Sequence, residues 1–200
     1  MNLIHLLGLC AGTETDPLGE PLLRALAGPD CDGLRWDVCP VRDGLPPHGD
    51  HTGDALPTEV RALRARAAAA DAVVLAVPES AAMPPGTLLN ALNWLVWPRP
   101  GSPLADKPVA VLTTAEGDAP DPAPFTEAEQ LLLGSACRSV GPRTIVRSAG
   151  RVLREEPGGR VFITDPTVAM RLLLHIRQTE TAARADADPR QSGEDFLPWL

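Results

Sequence analysis

The chain has 200 residues, a formal net charge of −8 and an isoelectric point near 5.0. This acidic balance excludes the basic footprint of a nucleic-acid-binding protein and disfavours an anionic membrane surface, although a small anionic ligand would read only its local site. The length suits one domain, which can bury a core without disulfides or a structural metal.

The cysteines and the amino-terminal segment indicate the cellular compartment. Cys10, Cys31, Cys39 and Cys137 form no Cys-x-x-Cys pair and no disulfide framework, so we expect buried thiols in a reducing cytoplasm. The first residues lack the basic region of a signal peptide, and no apolar run approaches the ~20 residues of a membrane span. Lys107 is the only lysine, and this bias towards arginine is typical of a GC-rich bacterial genome.

Short apolar runs alternate with helical stretches along the chain, which predicts βα units and a parallel sheet. The first helix has Asp16 as a suitable N-cap and Pro17 at a favourable first position. In chain order we predict a strand over 3–10, a helix over 17–27, a strand near the sheet edge over 34–40, a loop over 41–56, a helix over 57–70, a doubly covered strand over 72–77, a helix over 85–97, a strand over 109–113, a helix over 125–140, a strand over 144–146, a hairpin over 153–162 and a helix over 166–183.

These elements predict an α/β fold of the flavodoxin-like type, a doubly wound five-stranded parallel sheet with helices on both faces. We expect one domain over residues 1–183 and a loose tail over 184–200. Ligands of such sheets bind beyond the carboxyl ends of the strands. Here that edge carries three loops, over residues 11–16, 78–85 and 114–124.

One segment carries a family resemblance. Residues 77–95 read VPESAAMPPGTLLNALNWL, which resembles the TPEYNxxxPGxLKNALDWL segment of the NAD(P)H-dependent FMN reductase family. The match is without gaps and includes Pro78, Glu79, Pro85, Gly86, Leu88, Asn90, Ala91, Leu92, Trp94 and Leu95. Shorter matches at residues 7–9, 22–26 and 104–112 extend it over roughly residues 3–180.

The resemblance implies FMN and NAD(P)H as cofactors, and hydride transfer to a flavin, a quinone or a related small-molecule acceptor. It also implies a homodimer with the active site near the interface. The residues placed at the flavin site are Gly12, Thr13, Thr15, Pro78, Glu79, Ser80, Thr114, Ala115, Glu116 and Gly117. We assign no catalytic residue, since the cofactor carries the chemistry in such enzymes.

The first of the three loops departs from the family. Its members bind the FMN phosphate with a GSxRxxSxN turn, and here Glu14 stands at the arginine, Pro17 at the serine and Gly19 at the asparagine. Glu14 and Asp16 therefore place carboxylates where a phosphate should lie, and Asp16 should itself attract the free N–H groups of the helix. The segment is either a capped turn or a rearranged phosphate site that uses the hydroxyls of Thr13 and Thr15. We expect FMN to bind weakly or not at all.

The second loop, which contacts the flavin ring in the family, offers fewer polar and aromatic side chains here, because Ser80 and Ala81 replace the family's tyrosine and asparagine. In the third loop, the run from Thr114 to Asp118 is acidic. Two functions stay open at this point. The chain is a reductase with a degenerate flavin site, or it is a flavin-free descendant. Such a descendant would be a repurposed enzyme for a small metabolite or a non-catalytic binding partner.

Two further patterns concern metal binding and assembly. His48, His51 and Asp54 lie in a Gly- and Pro-rich loop without a metal-binding frame, so we expect a mobile, metal-free loop, while His5 and His175 read as structural. The helix over 85–97 is apolar nearly all round. That pattern predicts a homodimer through this helix, and deep burial within one chain is the alternative.

Overall fold

The computed structural model describes residues 3–12, 16–28, 33–42, 44–49, 56–79, 84–98, 101–117, 127–134 and 136–187. The strands are β1 (Ile4–Cys10), β2 (Leu34–Pro40), β3 (Ala72–Pro78), β4 (Pro108–Thr114), β5 (Arg138–Ser139), β6 (Thr144–Val146), β7 (Leu153–Glu155) and β8 (Val161–Ile163). The helices are α1 (Gly19–Leu26), α2 (Thr58–Ala69), α3 (Gly86–Val96), α4 (Glu127–Gly134), α5 (Ala149–Val152) and α6 (Pro166–Ala187).

The main sheet is parallel and has the order β2-β1-β3-β4-β5, with β6 also paired to β4. This is the flavodoxin-like architecture predicted from the sequence, and β2 lies at the sheet edge as expected. Strands β5 and β6 pair with opposite ends of β4 and together take the place of the single predicted fifth strand. The predicted hairpin is also present, as the antiparallel pair β7-β8.

Two apolar clusters cover the two faces of the sheet. Side chains of α2, α3 and α4 pack on one face with Leu7, Leu9, Leu75 and Val111. Side chains of α1 and α6 pack on the other face with Leu6, Val74 and Leu112. Alternate residues of each strand serve the two clusters, which explains why the central strands are continuously apolar.

The predicted helix over residues 125–140 is wrong in its second half. The α4 helix ends at Gly134, and Ala136 has a φ of 64°, a left-handed conformation that stops a helix. The Arg138 N–H then donates to the Lys107 carbonyl, so the following residues join the sheet as β5 instead of continuing the helix. The short helix α5 was not predicted.

The ends of two helices differ from the prediction. The α1 helix begins at Gly19, two residues after Pro17, because Pro17 and Leu18 form a turn. The α6 helix continues to Ala187, and Glu180 in its last turns accepts hydrogen bonds from Arg184. The predicted tail beyond Ala187 lies outside the described residues.

The apolar surface of α3 is largely buried within the single chain. Leu88, Leu92 and Leu95 are fully buried, and Leu89 packs partly buried against the same cluster. Trp97, just after the helix, is 57% exposed. Burial inside one chain therefore accounts for most of the pattern that suggested a partner, and the homodimer stays a prediction.

The remaining structural expectations concern single residues. Cys10, Cys39 and Cys137 are buried free thiols, whereas Cys31 lies outside the described residues. His175 is buried between Thr144 and the Val140 carbonyl, each within hydrogen-bond distance of one ring nitrogen, which confirms its structural role. In the described part of the chain, no helix is long and apolar enough to cross a membrane.

Candidate functional site at the carboxyl edge of the sheet

The carboxyl ends of β1, β3 and β4 meet at one edge of the sheet. Pro78 lies opposite Thr114 in the β3-β4 ladder, and the Glu79 N–H donates to the Thr114 carbonyl at 2.8 Å. The register of β1 and β3 pairs Leu9 with Leu75, and Gly12, two residues beyond the end of β1, lies at this edge of the sheet. The sheet thus brings Gly12, Pro78, Glu79 and Thr114 to one rim, as predicted.

The third loop leaves β4 on a fixed path. The Ala115 N–H donates to the Val146 carbonyl at 2.9 Å, and the Ala115 carbonyl accepts from Ala149 at 2.8 Å. Ala115 is buried, whereas Glu116 and Gly117 are exposed. Of the predicted site residues 115–117, the first therefore contacts β6 and α5, and the other two lie at the surface.

Asp16 is the most buried charged group of the rim, with an exposure of 1%. One carboxylate oxygen, Oδ2, accepts the Ala11 N–H at 3.1 Å, and the other, Oδ1, accepts the Gly19 N–H at 3.0 Å. The carboxylate therefore joins the end of β1 to the first residue of α1. Burial raises the pKa of Asp16, while the two N–H groups act in the opposite direction.

Gly19 is required by this carboxylate. A Cβ atom at Gly19 would lie 2.4 Å from Oδ2 and 2.8 Å from Oδ1 of Asp16, closer than atoms can approach. The absence of a side chain at the first residue of α1 is therefore matched to the position of Asp16. Sequence analysis assigned Asp16 to the helix terminus, but it missed the bond to Ala11 and the close approach at Gly19.

Gly12 is also fixed by its surroundings. Its φ is 63°, and a Cβ atom there would lie 2.5 Å from the Pro40 Cβ and 3.4 Å from the Arg42 Cγ. Arg42, two residues beyond the end of β2, donates to the Glu20 carboxylate of α1 at 2.7 Å. Its side chain is 65% exposed, so a cation borders the first loop from the neighbouring strand.

A cleft of about 340 Å³ lies beside this cation, between the end of β2 and α2. Its walls include Pro40, Arg42, Leu45, Glu59 and Arg66. Arg66 donates to Asp37 at 2.6 and 2.8 Å, and this bond holds the pKa of Asp37 below its usual value. Arg66 is thus engaged in the wall, whereas Arg42 is at the mouth.

The start of α3 has a different character from the start of α1. Pro85 precedes the helix, no acidic residue occupies the first turn, and nothing lies within 4 Å of a Cβ atom placed on Gly86. The hydroxyls of Thr87 in α3 and Thr113 in β4 are buried without a hydrogen-bond partner. Polar groups at this end of the rim are therefore still unsatisfied.

Asn90 and Trp94, two residues of the family-like segment, hold the loop that contains His48. Asn90 Oδ1 accepts the His48 N–H at 2.7 Å, and the Trp94 indole N–H donates to the Pro46 carbonyl at 2.8 Å. The His48 ring also packs edge-on against Trp94. These contacts fix residues 45–48 on α3, which the expectation of a mobile loop did not foresee. In the sequence, the signal available for these contacts was the presence of polar side-chain atoms on an otherwise apolar helix.

Several predicted residues lie outside the described part of the chain. They are Thr13, Glu14, Thr15, Ser80, His51 and Asp54. Within the described residues, no group of three histidine, cysteine, aspartate or glutamate side chains could hold a metal ion.

At the first loop, a side chain of the chain itself binds the backbone donors that the structure describes. The two N–H groups that flank the loop, on Ala11 and Gly19, already bind the Asp16 carboxylate. A phosphate at this position would meet a buried acid instead of free donors, and like charges in a buried site repel strongly. At the other end of the rim, the Glu79 N–H donates to the Thr114 carbonyl and the β3-β4 junction is intact.

Comparison with known structures supports the fold. The chain is similar to FerB, a flavoenzyme NAD(P)H:(acceptor) oxidoreductase from Paracoccus denitrificans, with a TM-score of 0.72, 20% identity, and coverage of 91% of this chain and 98% of that one. It is also similar to RosB, solved with a bound flavin-type intermediate (TM-score 0.61, 15% identity, coverage 99% and 90%). A third similar structure is the apo form of the NADH:FMN oxidoreductase EMOB (TM-score 0.57, 16% identity, coverage 94% and 93%).

Sequence comparison identifies the family. No curated protein matches the chain. The family described as NADPH-dependent FMN reductase matches residues 4–123, which include β1 to β4 and all of the rim discussed above. The match covers more than half of the sequence, and the fold agrees with it. This chain belongs to the NADPH-dependent FMN reductase family.

Proposed function

We propose that this protein is an NAD(P)H-dependent reductase of quinone- or flavin-type acceptors that does not retain FMN as a tightly bound cofactor. The observation that carries the proposal is the asymmetry of the rim. The junction of Glu79 with Thr114 and the entry into α3 follow the family pattern, whereas Asp16 fills the start of α1. The acceptor is then bound as a substrate from the ring side.

The chemistry requires little of the protein. A reduced nicotinamide would give a hydride to the acceptor, and a proton from solvent would complete the reduction of a quinone to a hydroquinone. The rim would hold the two reactants together, which is the main contribution expected of such a site. The buried thiol of Cys10 is no candidate nucleophile, since burial, together with the charge of Asp16, raises its pKa far above the usual range.

The test is the anaerobic oxidation of NADH and of NADPH by the purified protein, with menadione, riboflavin or FMN as acceptor. We expect turnover with menadione or riboflavin in the absence of added FMN, and a protein purified without stoichiometric flavin. Loss of turnover in a Glu79→Pro variant, which cannot donate to Thr114, would tie the activity to the rim. Turnover that appears only after FMN is added in stoichiometric amount would contradict the proposal.

A second candidate function is supported by the same carboxylate. If Asp16 marks a site that no longer accepts any flavin, the chain is a flavin-free descendant that binds a small metabolite, either as an enzyme or as a binding protein. It would oxidise neither NADH nor NADPH with any of the three acceptors and would not bind riboflavin.

The homodimer remains part of the proposal. Trp97, which follows α3, is a described apolar side chain that is exposed and available for contact with a second copy of the chain.

A further inference from the structure

We infer that Asp16 acts as a built-in anion, which takes the place of a ligand phosphate and selects unphosphorylated ligands. This inference rests on the proposed function for the identity of the ligand, but the occupation of the anion position by Asp16 can be tested without any activity. The class of ligand that follows is an uncharged ring system, such as riboflavin or a quinone, rather than a nucleotide.

The geometry of the Asp16 carboxylate supports this inference. Its two oxygens accept separate N–H groups, one from the end of β1 at Ala11 and one from the first residue of α1 at Gly19. Donors of this kind, converging from a strand end and a helix start, form the usual binding position for an anion in α/β folds. An anion in that position belongs here to the chain itself.

The packing at Gly19 supports it independently of charge. Gly19 has no side chain, and any Cβ atom there would collide with both oxygens of Asp16. The family has an asparagine at this place, according to the alignment of the first loop. Restoring the asparagine alone would therefore displace Asp16 or the helix start, so Gly19 and Asp16 are sterically matched.

The charges near Asp16 also disfavour a phosphate. Glu20 lies in the first turn of α1 and binds Arg42, so the neighbouring cation is already partly neutralised. Asp16 has no described basic partner, and its two hydrogen bonds are to backbone N–H groups. Among the residues that the structure describes here, a dianionic phosphate would thus meet the carboxylates of Asp16 and Glu20, and the exposed cation Arg42 is already bound to Glu20.

The experiment compares wild type with Asp16→Ala and Asp16→Asn, and uses Glu20→Gln as the matched control. Glu20 is also an acidic residue at the start of α1, but it binds Arg42 instead of the strand end. Inorganic phosphate, with chloride at equal ionic strength as reference, is added in thermal unfolding. Riboflavin and FMN are titrated separately by flavin fluorescence.

We expect phosphate to raise the melting temperature of Asp16→Ala but not that of wild type or Glu20→Gln. We also expect wild type to prefer riboflavin over FMN, and Asp16→Ala to shift this ratio towards FMN by about tenfold or more, because the helix start is freed for an anion. Asp16→Asn, which keeps the shape and one acceptor, should shift the ratio in the same direction by a smaller factor and covers the case in which Asp16→Ala does not fold.

An Asp16→Ala protein as indifferent to phosphate as wild type, with an unchanged riboflavin-to-FMN ratio, would overturn the inference. So would a wild type that prefers FMN. If no flavin binds to any of the proteins and neither menadione nor riboflavin is reduced, the proposed reductase function fails, but the phosphate titration still decides the role of Asp16.

Discussion

Helices α1 and α3 both begin with a glycine at the same edge of the sheet, yet their first turns are built for opposite purposes. Asp16 closes the start of α1 over two backbone N–H groups, and Gly19 leaves room only for that carboxylate. The start of α3 has no acid in its first turn, and a side chain at Gly86 would meet nothing. Under the proposed function, the family pattern is kept at α3 and replaced at α1 within one intact scaffold.

The largest effect is expected from a substitution that disrupts the packing of α3, the helix that follows the family pattern. Leu92→Asp in α3 should destabilise the protein by roughly 4 kcal/mol or more, because it buries an unpaired charge among fully buried side chains. Leu89→Lys is the control, since Leu89 is only partly buried and its lysine can extend to solvent. Urea unfolding followed by circular dichroism measures both. Equal losses in the two variants would contradict the described burial of α3.

A smaller effect sharpens the comparison directly. Gly19→Ala should cost about 1–3 kcal/mol through overpacking against Asp16, whereas Gly86→Ala at the equivalent position of α3 should be neutral or slightly stabilising. In an Asp16→Ala background the cost at Gly19 should disappear. A double-mutant cycle by chemical denaturation measures this coupling, and additive effects would show that the two residues do not touch.

The contacts of the His48 loop test another feature of the retained segment. Trp94→Phe removes the indole N–H from the Pro46 carbonyl, and Asn90→Ala removes the acceptor of the His48 N–H. Each should cost about 1 kcal/mol, with Asn90→Ala at the higher end because Asn90 also donates to Pro46. Faster amide exchange in residues 45–48 is the specific readout. Unchanged exchange there would mean that α3 does not hold the loop.

The smallest effects are pH-dependent and of opposite sign at two aspartates. Arg66 lowers the pKa of Asp37, so the stability that Asp37 contributes is present above its unfolded pKa, near 3.8, and is lost as pH falls through its lower folded value. Burial raises the pKa of Asp16, so its contribution is greatest below the unfolded value and is lost as pH rises through the folded one.

The free energy of unfolding is measured from pH 3 to 7 for wild type, Asp37→Asn and Asp16→Asn. The difference between wild type and each variant should change with pH in opposite directions for the two aspartates. The partly exposed Asp37 pair should amount to less than about 1 kcal/mol at neutral pH. Slopes of the same sign would contradict the assigned environments of the two carboxylates.

These features differ in how far the sequence could predict them. The strand over 34–40, the strand over 144–146 and the hairpin were predicted because apolar runs and turn residues act locally. The end of α4 was not predicted. Ala136 adopts a left-handed conformation there, and the residues that follow it pair with β4. Tertiary pairing decided against the local helical pattern there.

The candidate site divides in the same way. The meeting of residues 12, 78 and 114 at one rim follows from parallel topology, and Asp16 could be assigned to a helix terminus from its position alone. Its bond to Ala11 and the collision at Gly19 depend on the path of the loop between strand and helix. The partners of Asn90 and Trp94 lie more than forty residues earlier in the chain, beyond the reach of local pattern.

The most direct test of the central claim is a titration of the wild-type protein, stripped of any ligand, with FMN and with riboflavin, followed by flavin fluorescence. If Asp16 fills the phosphate position, FMN forms no tight complex. Its dissociation constant should be micromolar or weaker, which corresponds to a binding free energy no more favourable than roughly −8 kcal/mol. Riboflavin should bind more tightly than FMN. Stoichiometric quenching by FMN at nanomolar concentration, with riboflavin bound more weakly, would contradict the account.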